Sequence, residues 1–334
     1  MGRVRFIIIG AGAVGGTIGG CLHQAGHDVV LVARGPHLEA LRARGLTLAT
    51  PFGTDMLRIP AVGGPEDLTL TPADVLILAV KSQDTAGVLA DWAWQPVGDG
   101  AAAGTIPVVC AQNGVANEAA ALRRFRNVYG MCVWLPATHL EPGRVEAQGA
   151  PLAGLLPVGR YPEGQDLLTE RISASLRASR FLAPVSGNVM RWKYGKLIGN
   201  LDNAIEALCG REARYSEEAR KLREQARAEA LAVLDAVGIA YAPEEEIAAA
   251  RGDQVGIGAV DGSARSGGSS WQSLSRGTGT IEADYLNGEI VLLGRAHGMP
   301  VPVNAALQRL ANEAARTRRA PGGTTPAAIL SAAS

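Results

Sequence analysis

The stretch "RFIIIGAGAVGG", Arg5 to Gly16, decides the fold. Val4 to Ile9 is an apolar run rich in β-branched residues and closed by glycines, which predicts a buried strand. Ala13 to Ala25 reads as the helix that follows it. Between them Gly10, Gly12 and Gly15 take the spacing G-x-G-x-x-G. Alone, that spacing says little; between a strand and a helix it has a mechanism. The first glycine makes the tight turn, the second lets backbone approach a pyrophosphate, and the third lets helix and strand pack closely. The helix N-terminus, at Ala13 and Val14, adds free N–H groups and positive dipole. Gly10, Gly12, Ala13, Val14 and Gly15 are therefore the expected pyrophosphate site. A glycine-rich turn without a ligand is the plainer alternative.

The next strand, "HDVVLVAR" from His27 to Arg34, chooses the cofactor. An NAD site usually ends this strand with an acid for the ribose 2′-hydroxyl. Here it ends in Arg34, with His37 nearby and no acid before Glu39. An arginine can fork onto a 2′-phosphate, so NADP(H) is expected over NAD(H). Flavoproteins share the fingerprint, and a flavin remains the rival cofactor. The helical second half favours a dehydrogenase in which a helical domain closes over the nicotinamide.

Outward from the loop, strand and helix alternate. "HLEALRARG" is a short helix stopped by Gly45, and Asp74 to Val80 and Ile106 to Gln112 are further buried strands. Crossovers of helix length argue a parallel sheet covered on both faces. Strands thin out after about Gly159, and "SGNVM", Ser186 to Met190, reads as a hinge. Helical patterns then fill 191–209, 213–237, 243–250, 280–297 and 303–317. The expected fold is α/β, with a Rossmann-type dinucleotide-binding domain over 1–185 and an all-helical domain over 186–334 for substrate and dimerisation. The Gly- and Ser-rich stretch 251–279 is too long for a structureless loop, so it is partly helical or functional. The tail after Arg316 is expected to fray.

The bulk numbers exclude several classes. The 334 residues suggest two domains, and 32 basic against 32 acidic residues give no electrostatic reason for nucleic acid or a membrane as partner. The basic tip at Arg3 and Arg5 precedes an apolar run that stops at Ile9, too short for a signal peptide, and no run suits a membrane helix. Cys21, Cys110, Cys132 and Cys209 show no metal spacing and read as reduced core residues of a cytoplasmic protein; no metal is expected.

Only four basic residues are lysines: Lys81, Lys193, Lys196 and Lys221. A lysine kept in an arginine-rich chain is a candidate for giving up a proton, which arginine cannot do. Two of the four lie in "WKYGKLIGNLDNAIEAL", Trp192 to Leu208, which reads as one helix. At about 100° per residue, Lys196, Asn200 and Asn203 fall within roughly 60° of one another. A ketone reduction needs such a stripe: a proton donor for the developing alkoxide and amides to hold the substrate in register. Lys193 lies at the stripe's edge and reads as solvent-facing.

Taken together, "IIGAGAVGG", "LVARGPHLEALRARGL", "LAVKSQDT", "AQNGV", "KLIGN" and "EADYLNG" resemble the ketopantoate reductases (2-dehydropantoate 2-reductases) over most of the chain. That family is NADPH-dependent and reduces a 2-oxo acid to a 2-hydroxy acid. The resemblance implies that Lys196 is the general acid and that Asn200 orients the substrate. It implies that Asn113 lies near nicotinamide and substrate, that Lys81 sits by the cofactor, and that Ser270 contacts the substrate carboxylate. Glu282 would bind a substrate hydroxyl or tune the lysine. A small 2-oxo acid and a second copy, as a homodimer, are the expected partners.

Three positions depart from the family pattern. A second asparagine usually stands four residues after the first; here Ala204 does, with Asn203 one place early. Trp271 and Trp134 are bulkier than expected. These departures leave ketopantoate itself open as the substrate. Another carbonyl or an imine in secondary metabolism is the second reading, and a non-catalytic NADP(H) sensor the third. Plainer roles stand beside each site residue: a turn for Asn113, a Ser-rich loop for Ser270, a dipole-favoured acid for Glu282. His139 and His297 read as structural.

Overall fold

The computed structural model describes residues 4–263 and 267–333. Its chain divides into two compact units. The first comprises Met1–Gln112, Ala116–Lys193 and Pro243–Arg265; the second comprises Asn113–Val115, Tyr194–Ala242 and Ser266–Ser334.

The first unit is built on a seven-stranded sheet. In spatial order its strands are Val158–Arg160, Val128–Met131, Val108–Cys110, Asp74–Leu78, β1 (Arg5–Ile9), β2 (Asp28–Val32) and Ala61–Val62. Every neighbouring pair is parallel except the edge pair of Val158–Arg160 with Val128–Met131. β1 is central and pairs on both sides in register, Ile8 with Leu31 and with Ile77. The C-terminal ends of β1, β2 and Asp74–Leu78 therefore lie together, at the point where open parallel sheets bind ligands. A second sheet runs Ala137–Thr138, Arg144–Ala147, Leu46–Thr50, Gly53–Leu57.

Helix α1 (Ala13–Gln24) packs against both sheets, and its glycines say how. A Cβ on Gly19 would stand 2.7 Å from Leu31 Cδ2 of the main sheet. On Gly16 it would meet Val145 Cγ2 at 2.8 Å, and on Gly20 Leu48 Cδ2 at 2.9 Å, both in the second sheet. Contacts that short force a shift in a close-packed interior, so side chains are excluded on both flanks. The main-sheet flank carries Ile8, Leu31 and Ile77, all fully buried.

The second unit is helical. Ala204, Ile205, Leu208, Leu222, Ala226, Leu307, Ala311 and Ile329 form its core. The helix Glu217–Ala236 starts at Ser216, whose Oγ accepts from the Ala219 N–H. The helix Pro302–Arg316 is capped from outside, by Glu229 accepting the Val303 and Asn304 N–H groups at 2.8 and 2.9 Å. That supplies a carboxylate where orphan donors and the helix dipole favour one.

Three expectations change, and the stretch 251–279 is partly helical as expected. The stretch 192–208 is not one helix but two, Val189–Asn200 and Asp202–Cys209, separated at Leu201. Leu201 keeps helical dihedrals (φ −58°, ψ −28°), and its carbonyl accepts a 3.4 Å hydrogen bond from Asn287 Nδ2. The tail does not fray. Pro326–Ala333 is a helix with Ile329 fully buried, and the Gly322 and Thr324 N–H groups bond Ala207 O and Leu208 O. Within 251–279 lie a strand, Val255–Ile257, paired with Gly149–Pro151, and a helix, Ser269–Ser275. That strand holds Pro243–Arg265 to the first unit, so the chain returns there after its first helical stretch; the division is not a single cut at 185. Among the described residues, no helix is long and apolar enough to cross a membrane, and no group of side chains suits a metal ion.

Candidate active site

The glycine loop has the shape its motif requires. Gly10 takes φ +100°, and a Cβ there would stand 2.8 Å from the Val80 backbone nitrogen. A Cβ on Gly15 would stand 2.2 Å from the Gly10 carbonyl oxygen. Gly12 differs: nothing lies nearer to its would-be Cβ than His139 Cδ2 at 3.8 Å. Two glycines are thus required by the protein's own packing, and the middle one leaves open space beside the backbone. The Gly10 and Ala11 N–H groups bond Val32 O at 3.1 and 3.0 Å, which pins the loop to the end of β2. Helix α1 has no side-chain cap and no acid in its first turn, so no side chain of its own occupies its N-terminus. A pyrophosphate fits this cradle.

Arg34 stands at the start of helix α2 (Gly35–Arg44), largely exposed and 4.0 Å from Asp91. An exposed pair at that distance holds the guanidinium only weakly. His37, one turn on, reaches back to the loop. Its Nε2 lies 2.8 Å from Ala11 O, and its Nδ1 2.9 Å from the Gly143 N–H. The second contact makes Nδ1 an acceptor, so Nε2 carries the hydrogen and donates to Ala11. His139, read from the sequence as structural, packs against His37 with ring centroids 4.3 Å apart.

Lys81 follows the strand Asp74–Leu78 and is half-buried. The residues around it are tied to the segment carrying Asn113 by a buried polar network. Gln112 Nε2 donates to Val80 O and Thr85 Oγ1, both at 2.8 Å. Thr85 Oγ1 donates to Asn117 Oδ1 at 2.8 Å, and Asn117 Nδ2 to Ser82 Oγ at 3.2 Å. Gln112 and Asn117 are thereby both bonded to the segment that carries "KSQDT".

Asn113, Lys196, Asn200, Asn203, Ser270 and Glu282 all fall in the second unit. Gly114 takes φ +77°, and a Cβ there would stand 2.9 Å from Tyr285 O. Asn113 is thereby held beside the 3₁₀ turn Glu282–Tyr285. Lys196 and Asn200 lie one turn apart on Val189–Asn200; Lys196 is half-buried, while Asn200 is 4% exposed and its Nδ2 has no protein partner. Asn203 is half-buried on the next helix, with Oδ1 3.3 Å from the would-be Cβ of Gly268. Gly268 precedes the helix that buries Ser270 in its first turn. Glu282, also buried, accepts from Ser269 Oγ at 3.4 Å and lies in the field of the Arg276 guanidinium.

Two carboxylates and a lysine escaped sequence reading. Glu206 is buried and accepts the Gly268 N–H at 3.1 Å, which fixes the entry to the Ser270 helix. Lys193 is not solvent-facing: it is 2% exposed, and Nζ donates to buried Glu118 and to Gln112 O at 3.0 Å. For Glu206 the signal was a charge set between apolar Ile205 and Ala207, both buried.

Sequence profiles described as ketopantoate reductase PanE/ApbA and its C-terminal domain match residues 6–162 and 188–315. The chain belongs to the ketopantoate reductase family. It is an enzyme, an oxidoreductase acting on CH–OH groups. A 2-dehydropantoate 2-reductase of Archaeoglobus fulgidus is 30% identical over 313 residues, 92% of this chain and 96% of that one. The Pyrococcus abyssi protein of the same name is 27% identical over 91% and 95%. A solved ketopantoate reductase from Ralstonia eutropha is similar with TM-score 0.76 and 28% identity, over 95% of this chain and all of the other. A D-mandelate dehydrogenase solved with NADH and anilino(oxo)acetate shares the fold, with TM-score 0.78, 23% identity, and 94% and 99% coverage.

Within this family pattern the three departures acquire local explanations. Ala204 is buried in the helical core. Trp134 lies under the Arg251 guanidinium, 4.2 Å from its ring centroid. Trp271 packs on Gly267, where a Cβ would stand 2.6 Å from the indole.

Proposed function

We propose that the enzyme uses NADPH to reduce a 2-oxo acid to a 2-hydroxy acid, with Lys196 as the proton donor. The observation that carries this reading is the gathering of one lysine, three amides, a buried serine and a buried carboxylate in one unit of a chain whose other unit carries a nucleotide loop. Gly10, Gly12, Ala13, Val14 and Gly15 would hold the pyrophosphate, Arg34 the 2′-phosphate, and Lys81 and Asn113 the nicotinamide end. The nicotinamide supplies the hydride. Lys196 Nζ would give a proton to the carbonyl oxygen as it becomes an alkoxide. The unpartnered Asn200 Nδ2 supports a role in binding the substrate, since a buried donor without an acceptor costs about 1–3 kcal/mol until one arrives. Ser270 would receive the carboxylate, Asn203 would stand in for the amide missing at Ala204, and Glu282 would take a substrate hydroxyl. The names of the relatives support ketopantoate as the substrate and pantothenate formation as the setting. Four buried free thiols fit a cytoplasmic protein, and a homodimer belongs to the same reading.

Ala204 favours a second reading on substrate, since no amide can project from the place where the family usually has one. The deciding experiment is a screen of 2-oxo acids with NADPH, followed by reduced-cofactor absorbance. Ketopantoate is expected to be outperformed by a bulkier or unbranched acid. A wide margin in kcat/KM for ketopantoate overturns that expectation, and no turnover of any 2-oxo acid overturns the reading.

A further inference from the structure

Lys193 lies three residues before Lys196 and has an entirely different environment. It is 2% exposed, and Glu118 is fully buried. Nζ donates to Glu118 Oε1, to Gln112 O at 3.0 Å and, at the margin, to Cys110 O at 3.5 Å. An ammonium has three donors, and all three are spent on protein. Nothing remains for a substrate, so Lys193 is not a second proton donor.

Stability alone explains the pair poorly. Taking two charges out of water is costly, and an apolar pair of similar volume is often as stable or more so. An apolar pair cannot, however, grip carbonyls. Lys193 takes the carbonyls of Cys110 and Gln112, at the end of the strand Val108–Cys110, just before Asn113. The Gln112 side chain is fixed separately, on Val80 O and Thr85 Oγ1. Gly114 has no slack either, with Tyr285 O 2.9 Å from its would-be Cβ. Gln112 and Lys193 are each the last residue before the chain leaves the first unit. The stretches carrying Asn113 and Lys196 both start from this one hydrogen bond.

We propose that Lys193 and Glu118 are a positioning pair that fixes the Gln112–Asn113 peptide and the start of the Lys196 segment, so that amide and ammonium are presented in register. The proposal rests on the roles given above to Asn113 and Lys196. Lys193 is a positioning residue that acts through them.

The test uses the full chain with Lys193→Met and Glu118→Leu combined, which removes both charges without stranding either. Hydrogen–deuterium exchange is first read on the cofactor-free protein. Exchange across 112–117 should rise on the order of tenfold, with the helix Glu217–Ala236 unchanged. With NADPH and the best 2-oxo acid, kcat should fall on the order of ten- to a hundredfold, the loss expected of misplaced groups. KM and NADPH affinity should move far less, and the deuterium isotope effect from 4-deuterated NADPH should rise as hydride transfer becomes limiting. Wild-type exchange together with wild-type kcat overturns the proposal and leaves a purely structural pair. If wild type reduces no 2-oxo acid, the functional reading fails, and exchange alone then decides the pair. Should the double variant not fold, Lys193→Arg is read instead. A planar guanidinium cannot point at three acceptors set around an ammonium, so exchange across 112–117 must still rise. Unchanged exchange there overturns the proposal.

Discussion

The loop Gly10–Gly15 and the helices Val189–Asn200 and Asp202–Cys209 recognise in opposite ways. The loop offers backbone: N–H groups at the start of α1, with glycines wherever a Cβ would collide. The helices offer side chains: an ammonium and amides on a frame of buried Leu197, Ile198, Leu201 and Ile205. Backbone recognition is a matter of shape, and a substitution there changes geometry. Side-chain recognition is a matter of chemistry, and a substitution there changes which atom can give a proton. The comparison breaks if the helix side chains prove dispensable for turnover or the loop region proves indifferent to the cofactor.

The largest effect should come from the chemical side. Lys196→Ala should lower kcat by about 10²–10⁴ on the best 2-oxo acid, with NADPH binding retained. Lys196→Arg should rescue little, because a guanidinium holds its protons at neutral pH. Steady-state kinetics with a cofactor-binding assay checks both, and a near-normal kcat in Lys196→Ala sinks the assignment.

Lys193→Ala sharpens the comparison within a single helix. It strands Glu118 as an uncompensated buried charge, which should cost about 3–5 kcal/mol in unfolding free energy. Lys196 is half-buried, so its truncation should cost far less stability. Denaturant melts of the two variants side by side test this. Equal midpoints would mean that burial does not distinguish the two lysines.

The same contrast explains what could be read from the sequence. The strand, loop and helix at Arg5–Gln24 were legible because sterics leave few residues able to replace Gly10 or Gly15. The flanking parallel strands were legible from their apolar runs. The outer face of α1 was not, since the second sheet that excludes side chains at Gly16 and Gly20 comes from Leu46–Thr50 and Arg144–Ala147, far along the chain. In the helical region the turn that joins Lys196 to Asn200 was legible from periodicity, while Asn203 stands on the next helix. The separation at Leu201 was not, because its dihedrals stay helical and the side chain bonding its carbonyl, Asn287, lies 86 residues away. Lys193 was misread for the same reason: its partner Glu118 is 75 residues distant. A helical wheel gives direction but not what waits there.

On the loop side, Arg34→Ala should weaken NADPH binding by about 1.5–3 kcal/mol, the worth of a charge-assisted phosphate contact, and leave NADH binding almost unchanged. Titrating both cofactors against wild type and variant tests it. Equal losses for the two would show that Arg34 does not read the 2′-phosphate, and the preference for NADP(H) would need another source.

The smallest effect is a pH dependence of stability at the loop. His37 Nε2–H donates to Ala11 O in the loop, and Nδ1 accepts the Gly143 N–H. Burial holds its pKa below the ordinary histidine value, against the opposing pull of the Ala11 carbonyl. A second proton would have to sit on Nδ1, facing a donor, so protonation and the Gly143 bond exclude each other. The unfolded chain, with an ordinary histidine, takes its proton near pH 6.5. Well above that pH neither state is protonated, and His37 contributes no pH dependence. As pH falls through that value the unfolded state binds the proton first, so folding stability declines, and it levels off only below the folded-state pKa. Other titrating groups add slopes of their own, so the comparison must be with His37→Gln, an amide that can both donate and accept but does not titrate. Between pH 7.5 and about 5.5 the wild type should lose more stability than the variant, and NADPH affinity should follow, because the Gly143 bond that protonation breaks seats the ring that donates to Ala11. Parallel stability curves for the two proteins over that interval would show that His37 does not couple the loop to protonation.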